Sequence, residues 1–214
     1  MASASSQLPF HTLNDAATAP PSAATTSFTI APDPSTPTDI WRKPGPPTVK
    51  TFNAPIIYKS VRLQSFQRTR VTVSANWSRL YDQGGLVFVL PATAAKPTDQ
   101  KWIKTGIEFY QGATYVSTVA ADAWADWSLV QVGIHDGKVT IEIERKEGDD
   151  TLWIYIIDGE KKIPIREVTW ALSEANVADC WVGVYAAAPT IAKAENEKGA
   201  LSVKFEGWEL ELKE

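Results

Sequence analysis

The chain has 214 residues, a length that one all-β domain fills, and 44% of them are hydrophobic, enough for a buried core. Its net charge is −4 and no run of Lys and Arg could track a phosphate backbone, which excludes nucleic acid as an expected partner. Cys180 is the single cysteine, so no intrachain disulfide forms. The start lacks a basic head followed by an apolar run, and no stretch approaches the roughly 18 apolar residues of a membrane span, so a cytoplasmic protein without membrane contact is expected.

Residues 1–27 are rich in Ala, Ser, Thr and Pro and show neither helical nor strand period; they are expected to be a flexible tail, leaving 28–214 as one domain. Residues 31–47 place six prolines around Asp39, Ile40, Trp41 and Arg42, an arrangement that excludes a central strand because proline lacks the donor a sheet needs. Trp41 either plugs an end of the fold or rims a groove. Strands are predicted over 49–52, 56–66 and 68–77. The stretch from Leu80 to Val130 then alternates apolar and polar residues between bends and predicts four consecutive antiparallel strands.

The strand over 101–110 is the most informative. Ile103, Ile107 and Phe109 point to one face, an ordinary core, and Trp102, Lys104, Glu108 and Tyr110 to the other. An aromatic, a cation and a carboxylate on one face are costly to bury unpaired and suited to lining a groove. Lys138 to Glu147 reads as scaffold, with Glu142 and Glu144 solvated. Thr151 to Asp158 is apolar or aromatic on both faces and is expected to be covered on both sides or to line a cleft. Residues 173–179 suggest at most one helical turn, and 192–199 a mobile charged loop between the closing strands, 181–189 and 200–212. Together these elements predict two stacked antiparallel sheets of jelly-roll type, with a closed barrel as the alternative.

In order and approximate spacing, YDQGGL (81–86), WIKTGIE (102–108), DWS (126–128), VGVYAAAP (182–189) and VKF (203–205) resemble an uncharacterised concanavalin A-like family. Its fungal branch includes the regulation-of-enolase protein. TDIWRKPG (38–45) and PIREVTW (164–170) are similar to that branch in particular. The resemblance implies a concanavalin A-like jelly-roll sandwich, a cytosolic setting and a link to carbohydrate metabolism, with no catalytic residue to carry across. The chain departs from the pattern with Gly85 where Ala is usual, and with Val184 and Ala187 where Pro and Cys are usual.

Among chemistries, glycoside hydrolysis needs two carboxylates about 5 to 9.5 Å apart across the scissile bond. No paired carboxylate string occurs on one strand, and Asp82 with Glu108 across strands is the one candidate pair. Lys104, about 13 Å from Glu108 along the strand at roughly 3.3 Å per residue, is expected to pair with a carboxylate of another strand, which argues against a raised Glu108 pKa. His11 and His135 are the only histidines, too few for a zinc site or a Ser-His-Asp triad, and no cofactor or metal is expected. Cys180 reads as an inert buried thiol. Aromatic rings beside Asp, Gln and Lys suit a sugar, which has an apolar face and a hydroxyl edge. The sequence therefore supports a non-catalytic binding or regulatory module with a carbohydrate or protein partner. Its groove is predicted from Tyr81, Asp82, Gln83, Trp102, Lys104, Glu108, Trp127 and Tyr185; a carbohydrate-active enzyme using Asp82 and Glu108 is the alternative.

Overall fold

The computed structural model describes residues 7–16, 20–92, 100–173, 178–191 and 200–213. In chain order the strands are β1 (His11–Leu13), β2 (Phe28–Ile30), β3 (Ile40–Lys43), β4 (Val49–Phe52), β5 (Ile56–Arg62), β6 (Phe66–Ser74), β7 (Gln83–Leu90) and β8 (Lys101–Tyr110). They continue with β9 (Ala113–Ala121), β10 (Ala125–Val130), β11 (Lys138–Arg145), β12 (Leu152–Asp158), β13 (Lys161–Val168), β14 (Asp179–Ala187) and β15 (Val203–Leu212). Seven strands form one antiparallel sheet in the order β1-β5-β14-β7-β8-β9-β10, and six form a second in the order β13-β12-β11-β6-β15-β2. The chain crosses between the two large sheets after β1, β5, β6, β10, β13 and β14, and returns from β2 to β5 by way of β3 and β4, as a jelly-roll sandwich of the concanavalin A-like type requires.

The period-two pattern sets what each face buries. Leu86, Phe88, Ile103, Ile107, Val182 and Val184 of the seven-stranded sheet meet Val71, Val73, Ile141, Ile143, Ile154 and Phe205 of the other in one main core. The opposite face of the seven-stranded sheet is covered in part by a separate hairpin, β3 paired with β4, which packs Ile40 and Phe52 over Val87, Val89, Trp102 and Ala121. Two bonds tie this hairpin down at its start, Thr38 N–H to the Ala188 carbonyl and Ala188 N–H to Thr38 Oγ1. The proline-rich segment thus supplies a lid element outside both sheets.

Several expectations differ in detail. The single strand predicted over 56–66 is broken by a 3-10 turn at Leu63–Ser65, where the chain leaves one sheet as β5 and enters the other as β6. Glu142, read as solvated, has no exposed surface: Arg68, Arg70 and Lys162 converge on it from neighbouring strands, and their long stems cover it. On β12, Leu152, Ile154 and Ile156 are buried, but Trp153, Tyr155 and Ile157 are only half-buried on the outer face of the six-stranded sheet, where Lys162 lies over the Tyr155 ring. Residues 174–177 and 192–199, where a helical turn and a charged loop were expected, lie outside the described residues.

The segment expected to be a flexible tail also carries structure where it is described. Strand β1 pairs with β5, His11 opposite Tyr58, and Phe10 inserts between the sheets against Phe28 and Trp208, with ring centroids 5.1 and 5.2 Å away. The Lys59 ammonium sits 4.4 Å from the Phe10 ring and donates to the Ala23 carbonyl. Three residues are too few for a period to show, so one buried ring decides the outcome. Phe10→Ala should cost about 3 kcal/mol, as large-to-small core changes do. For a domain of this size that lowers the melting temperature by about 6–12 °C. A shift below about 2 °C in a circular-dichroism melt would show that the ring does not hold the segment.

Candidate functional site

Beside the β3–β4 hairpin, the seven-stranded sheet stays uncovered and forms a cleft of about 450 Å³. Its floor comes from Gln83 on β7, Lys104 and Glu108 on β8, Val119 on β9 and Trp127 on β10. Its walls are Asp39, Trp41 and Lys43 from the hairpin, Tyr81 from the turn before β7, and Pro189 and Thr190 after β14. Strand register brings the floor together: Gln83 lies opposite Glu108, and Lys104 opposite Val119. Between Lys104 and Glu108 the same face carries Gly106, whose Cα partner on β7 is Gly85. The two backbones are so close that a Cβ on Gly85 would fall 2.0 Å from the Thr105 carbonyl oxygen, and one on Gly106 2.0 Å from that of Gly84. Glycine at position 85 is therefore matched to this chain's own strand pair.

The polar groups form one connected network. The Lys104 ammonium donates to Gln83 Oε1 at 2.6 Å and to Asp39 Oδ1 at 3.1 Å. The Tyr185 hydroxyl donates to the same Gln83 oxygen at 3.3 Å. Glu108 accepts from Trp127 Nε1 at 3.2 Å, an N–H that also reaches Ser117 Oγ at 3.1 Å. Burial raises the Glu108 carboxyl above its usual range; the Lys104 ammonium and the bonds from Ser117 and Trp127 oppose this, and the nearby Asp39 carboxylate adds to it. The pairing of Lys104 with a carboxylate from another element was expected and is found, but Glu108 is raised nonetheless, because Asp39 takes the ion pair and burial outweighs the Lys104 charge at Glu108. Tyr185 is pushed well above an ordinary phenol by complete burial and by the two carboxylates.

Of the eight residues singled out in the sequence, Tyr81, Gln83, Lys104, Glu108 and Trp127 line the cleft. Trp102 does not: it sits opposite Val89 and Ala121 at the end of the sheet that the hairpin covers, and only 1% of its surface is exposed. Tyr185 lies beneath the floor and touches the cleft through Gln83. Asp82 lies in the turn before β7 rather than on the strand, and meets Arg79, three residues earlier, in a buried ion pair at 3.4 Å. The Asp82–Glu108 pair is thus not assembled. Asp39 and Glu108 are the acidic groups that line the cleft among the described residues. Asp39, Lys43, Pro189 and Thr190 were missed because they come from loops and a detached hairpin; the TDIWRKPG segment holds Asp39 and Lys43, and VGVYAAAP ends on Pro189. Trp41 rims the groove, edge-on to Trp127 at 6.2 Å.

Among the described residues no helix is long and apolar enough to cross a membrane, and no three His, Cys, Asp or Glu side chains cluster as metal ligands. Cys180 is buried, and desolvation pushes its thiol well above the usual range, so it is a poor nucleophile.

In comparisons with known proteins, a solved structure of a functionally unknown protein from Saccharomyces cerevisiae superimposes with a TM-score of 0.73 at 21% identity, covering 95% of this chain and 96% of that one. A glycoside hydrolase family protein from Mycobacterium thermorestibile superimposes at 0.50 with 10% identity, covering 86% and 76%. Likeness at such identities concerns the fold alone. By sequence, an uncharacterized protein of Emericella nidulans is 53% identical over 165 residues, 77% of this chain and 78% of its own length. Regulation of enolase protein 1 of Saccharomyces cerevisiae is 27% identical over 142 residues, 66% of this chain and 62% of its own. A family profile covers residues 17–213, and with that match spanning nearly the whole sequence the chain belongs to DUF1349, a family of proteins of unknown function.

Proposed function

We propose that this chain is a cytoplasmic, non-catalytic binding or regulatory module whose cleft takes a carbohydrate. Residues 28–214 form the module and the N-terminal segment is clipped onto it. One observation carries the reading: Trp41, Tyr81 and Trp127 line a cleft together with the polar groups of Gln83, Lys104 and Glu108. Such a mix of apolar faces and fixed hydrogen-bonding groups matches the two sides of a sugar ring. The likeness to Regulation of enolase protein 1 supports a regulatory role tied to carbohydrate metabolism. Lys104 already neutralises Asp39, so the cleft suits a ligand bound through hydroxyls.

A second reading, a carbohydrate-active enzyme, draws on one feature: burial raises Glu108, as it does for many general acids. Its partner would be Asp39, since Asp82 faces Arg79. Glycan-array binding followed by hydrolysis assays on the hits separates the two. On the binding reading, Glu108→Gln keeps shape and one acceptor and weakens binding by the ~0.5–3 kcal/mol of one hydrogen bond, about 2- to 150-fold. No turnover is expected from either form. Turnover lost in the Gln variant would establish the enzyme instead, and a complete absence of glycan binding would move the cleft to a protein partner.

A further inference from the structure

Tyr81 sits where its backbone conformation is costly. Its φ is +67°, a region that a bulky aromatic residue rarely occupies. The Asp82 N–H donates to the Arg79 carbonyl at 2.9 Å, closing a turn whose third residue is Tyr81. Leu80 has no positive φ, so the turn has the type II pattern, whose third position is normally Gly or Asn. Tyr81 N–H then donates to the Phe109 carbonyl at 2.7 Å, and Phe109 N–H to the Asp82 carbonyl at 2.8 Å, fastening the turn to the end of β8. Thr190 holds its outer side through a bond to the Leu80 carbonyl.

A second cost lies underneath. Asp82 and Arg79 are both almost fully buried, 1% and 3% exposed. Asp82 Oδ2 accepts the Arg79 backbone N–H at 3.1 Å, whereas Asp82 Oδ1 and Arg79 Nε meet only as the 3.4 Å ion pair, without a hydrogen bond, and Arg79 Nη2 finds no hydrogen-bond partner among the described residues. Buried ion pairs with unsatisfied atoms are seldom the most stable choice for a site. Both costs converge on the placement of one ring. Tyr81 stacks on Tyr110 at 5.8 Å and stands at 68° to Trp127 at 6.3 Å, while Trp41 stands at 83° to Trp127. The cleft is thus a corner of steeply set rings beside Gln83 and Glu108.

We propose that Asp82, charge-balanced by Arg79, is a positioning clip that holds Tyr81 in its strained turn, and that the Tyr81 ring is the specificity-determining wall of the cleft toward a pyranose. The ligand class rests on the carbohydrate reading above; the clip does not. Strain of this kind is kept where an ordered site needs it.

The test uses the full chain, with cellobiose and laminaribiose as probes in a titration followed by tryptophan fluorescence. Tyr81→Ala and Tyr81→Gly both remove the ring and should weaken binding at least about tenfold, while Tyr81→Phe stays within about threefold. In thermal melts Tyr81→Gly should melt about 2–4 °C above Tyr81→Ala, the reverse of the usual order, because only glycine accepts this φ freely. Ala melting at or above Gly would overturn the strain. For the clip, chains labelled with 3-fluorotyrosine report ring placement without ligand, the Tyr81 resonance being assigned from its loss in Tyr81→Phe. Arg79→Met/Asp82→Ala should shift and broaden that resonance, and Arg79→Met/Asp82→Asn, which keeps an acceptor for the turn, should restore it. An unchanged resonance in the folded Met/Ala variant would overturn the clip. Wild-type protein that binds neither probe would overturn the pyranose assignment and the carbohydrate reading, while the melting order and the fluorine spectra would still decide the strain and the clip.

Discussion

Trp102→Ala is expected to lower the melting temperature by about 6–20 °C, the range that follows from a loss of about 3–5 kcal/mol for a buried aromatic in a domain of this size. Trp102 is 1% exposed and belongs to the small core that joins the β3–β4 hairpin to the seven-stranded sheet, with Ile40, Val87, Val89 and Ala121. Its ring also lies 5.9 Å from the Lys104 ammonium, which pairs with Asp39 on the chain entering the hairpin. The void left by alanine would therefore loosen the element that carries Asp39 and Trp41, and binding would fall along with stability. A melt within about 2 °C of wild type, with binding lost, would instead place the ring in the cleft.

Glu142→Gln should lower stability by about 2–3 kcal/mol at neutral pH, a melting shift of about 4–12 °C. Removing one charge of a buried pair costs about 3–5 kcal/mol, and the partly exposed cations here, which water screens, reduce that. Arg70 and Lys162 reach the Glu142 carboxylate at 2.6 and 2.7 Å, and Arg68 at 3.2 Å; Gln would remove the charge they share, leaving Arg68 its pairs with Glu209 and Glu211 and Lys162 its pair with Glu144. Burial alone would raise the Glu142 carboxyl, but bonds from Lys162 and Arg70 and their charges hold it below its usual range. The folded state thus binds this proton less readily than the unfolded state. Its stabilising contribution is present above the ordinary carboxylate pKa and is lost as pH falls through the depressed one.

Glu108 has the opposite sign. Its folded-state pKa is raised, so the folded chain holds the proton more tightly, and its contribution declines as pH rises from the ordinary carboxylate range through the raised value. Melting curves across pH should show Glu142→Gln falling progressively further below wild type with rising pH, and Glu108→Gln gaining on it. Parallel curves for the two variants would contradict the electrostatic assignment of both groups.

The alternation along Leu80–Val130 was enough to divide β8 into a core face and a polar face. Ile103 and Ile107 lie in the main core while Lys104 and Glu108 face the cleft, because a strand's side-chain period is two whatever surrounds it. That rule does not reach Asp82, which lies in the turn before β7 and pairs with Arg79 instead of facing the groove with Gln83. Parity could not say which part of a face stays open. Trp102 and Lys104 share a side of β8, yet one is sealed under the hairpin and the other reaches the cleft. That depends on where residues 40–52 dock, a contact made across about 50–60 residues of sequence with no periodic trace. Glu142 and Glu108 make the same point in charge: each is a glutamate on an alternating strand, but Lys162 and Arg70 from neighbouring strands lower one and burial beside Asp39 raises the other. The sequence by itself determined the two-sheet class, the core-facing side of strands such as β8, and the family, since these follow from local period and ordered motifs. Only the tertiary structure decided which side chains share the cleft and how each carboxyl titrates, because burial and through-space charge belong to partners distant in the chain.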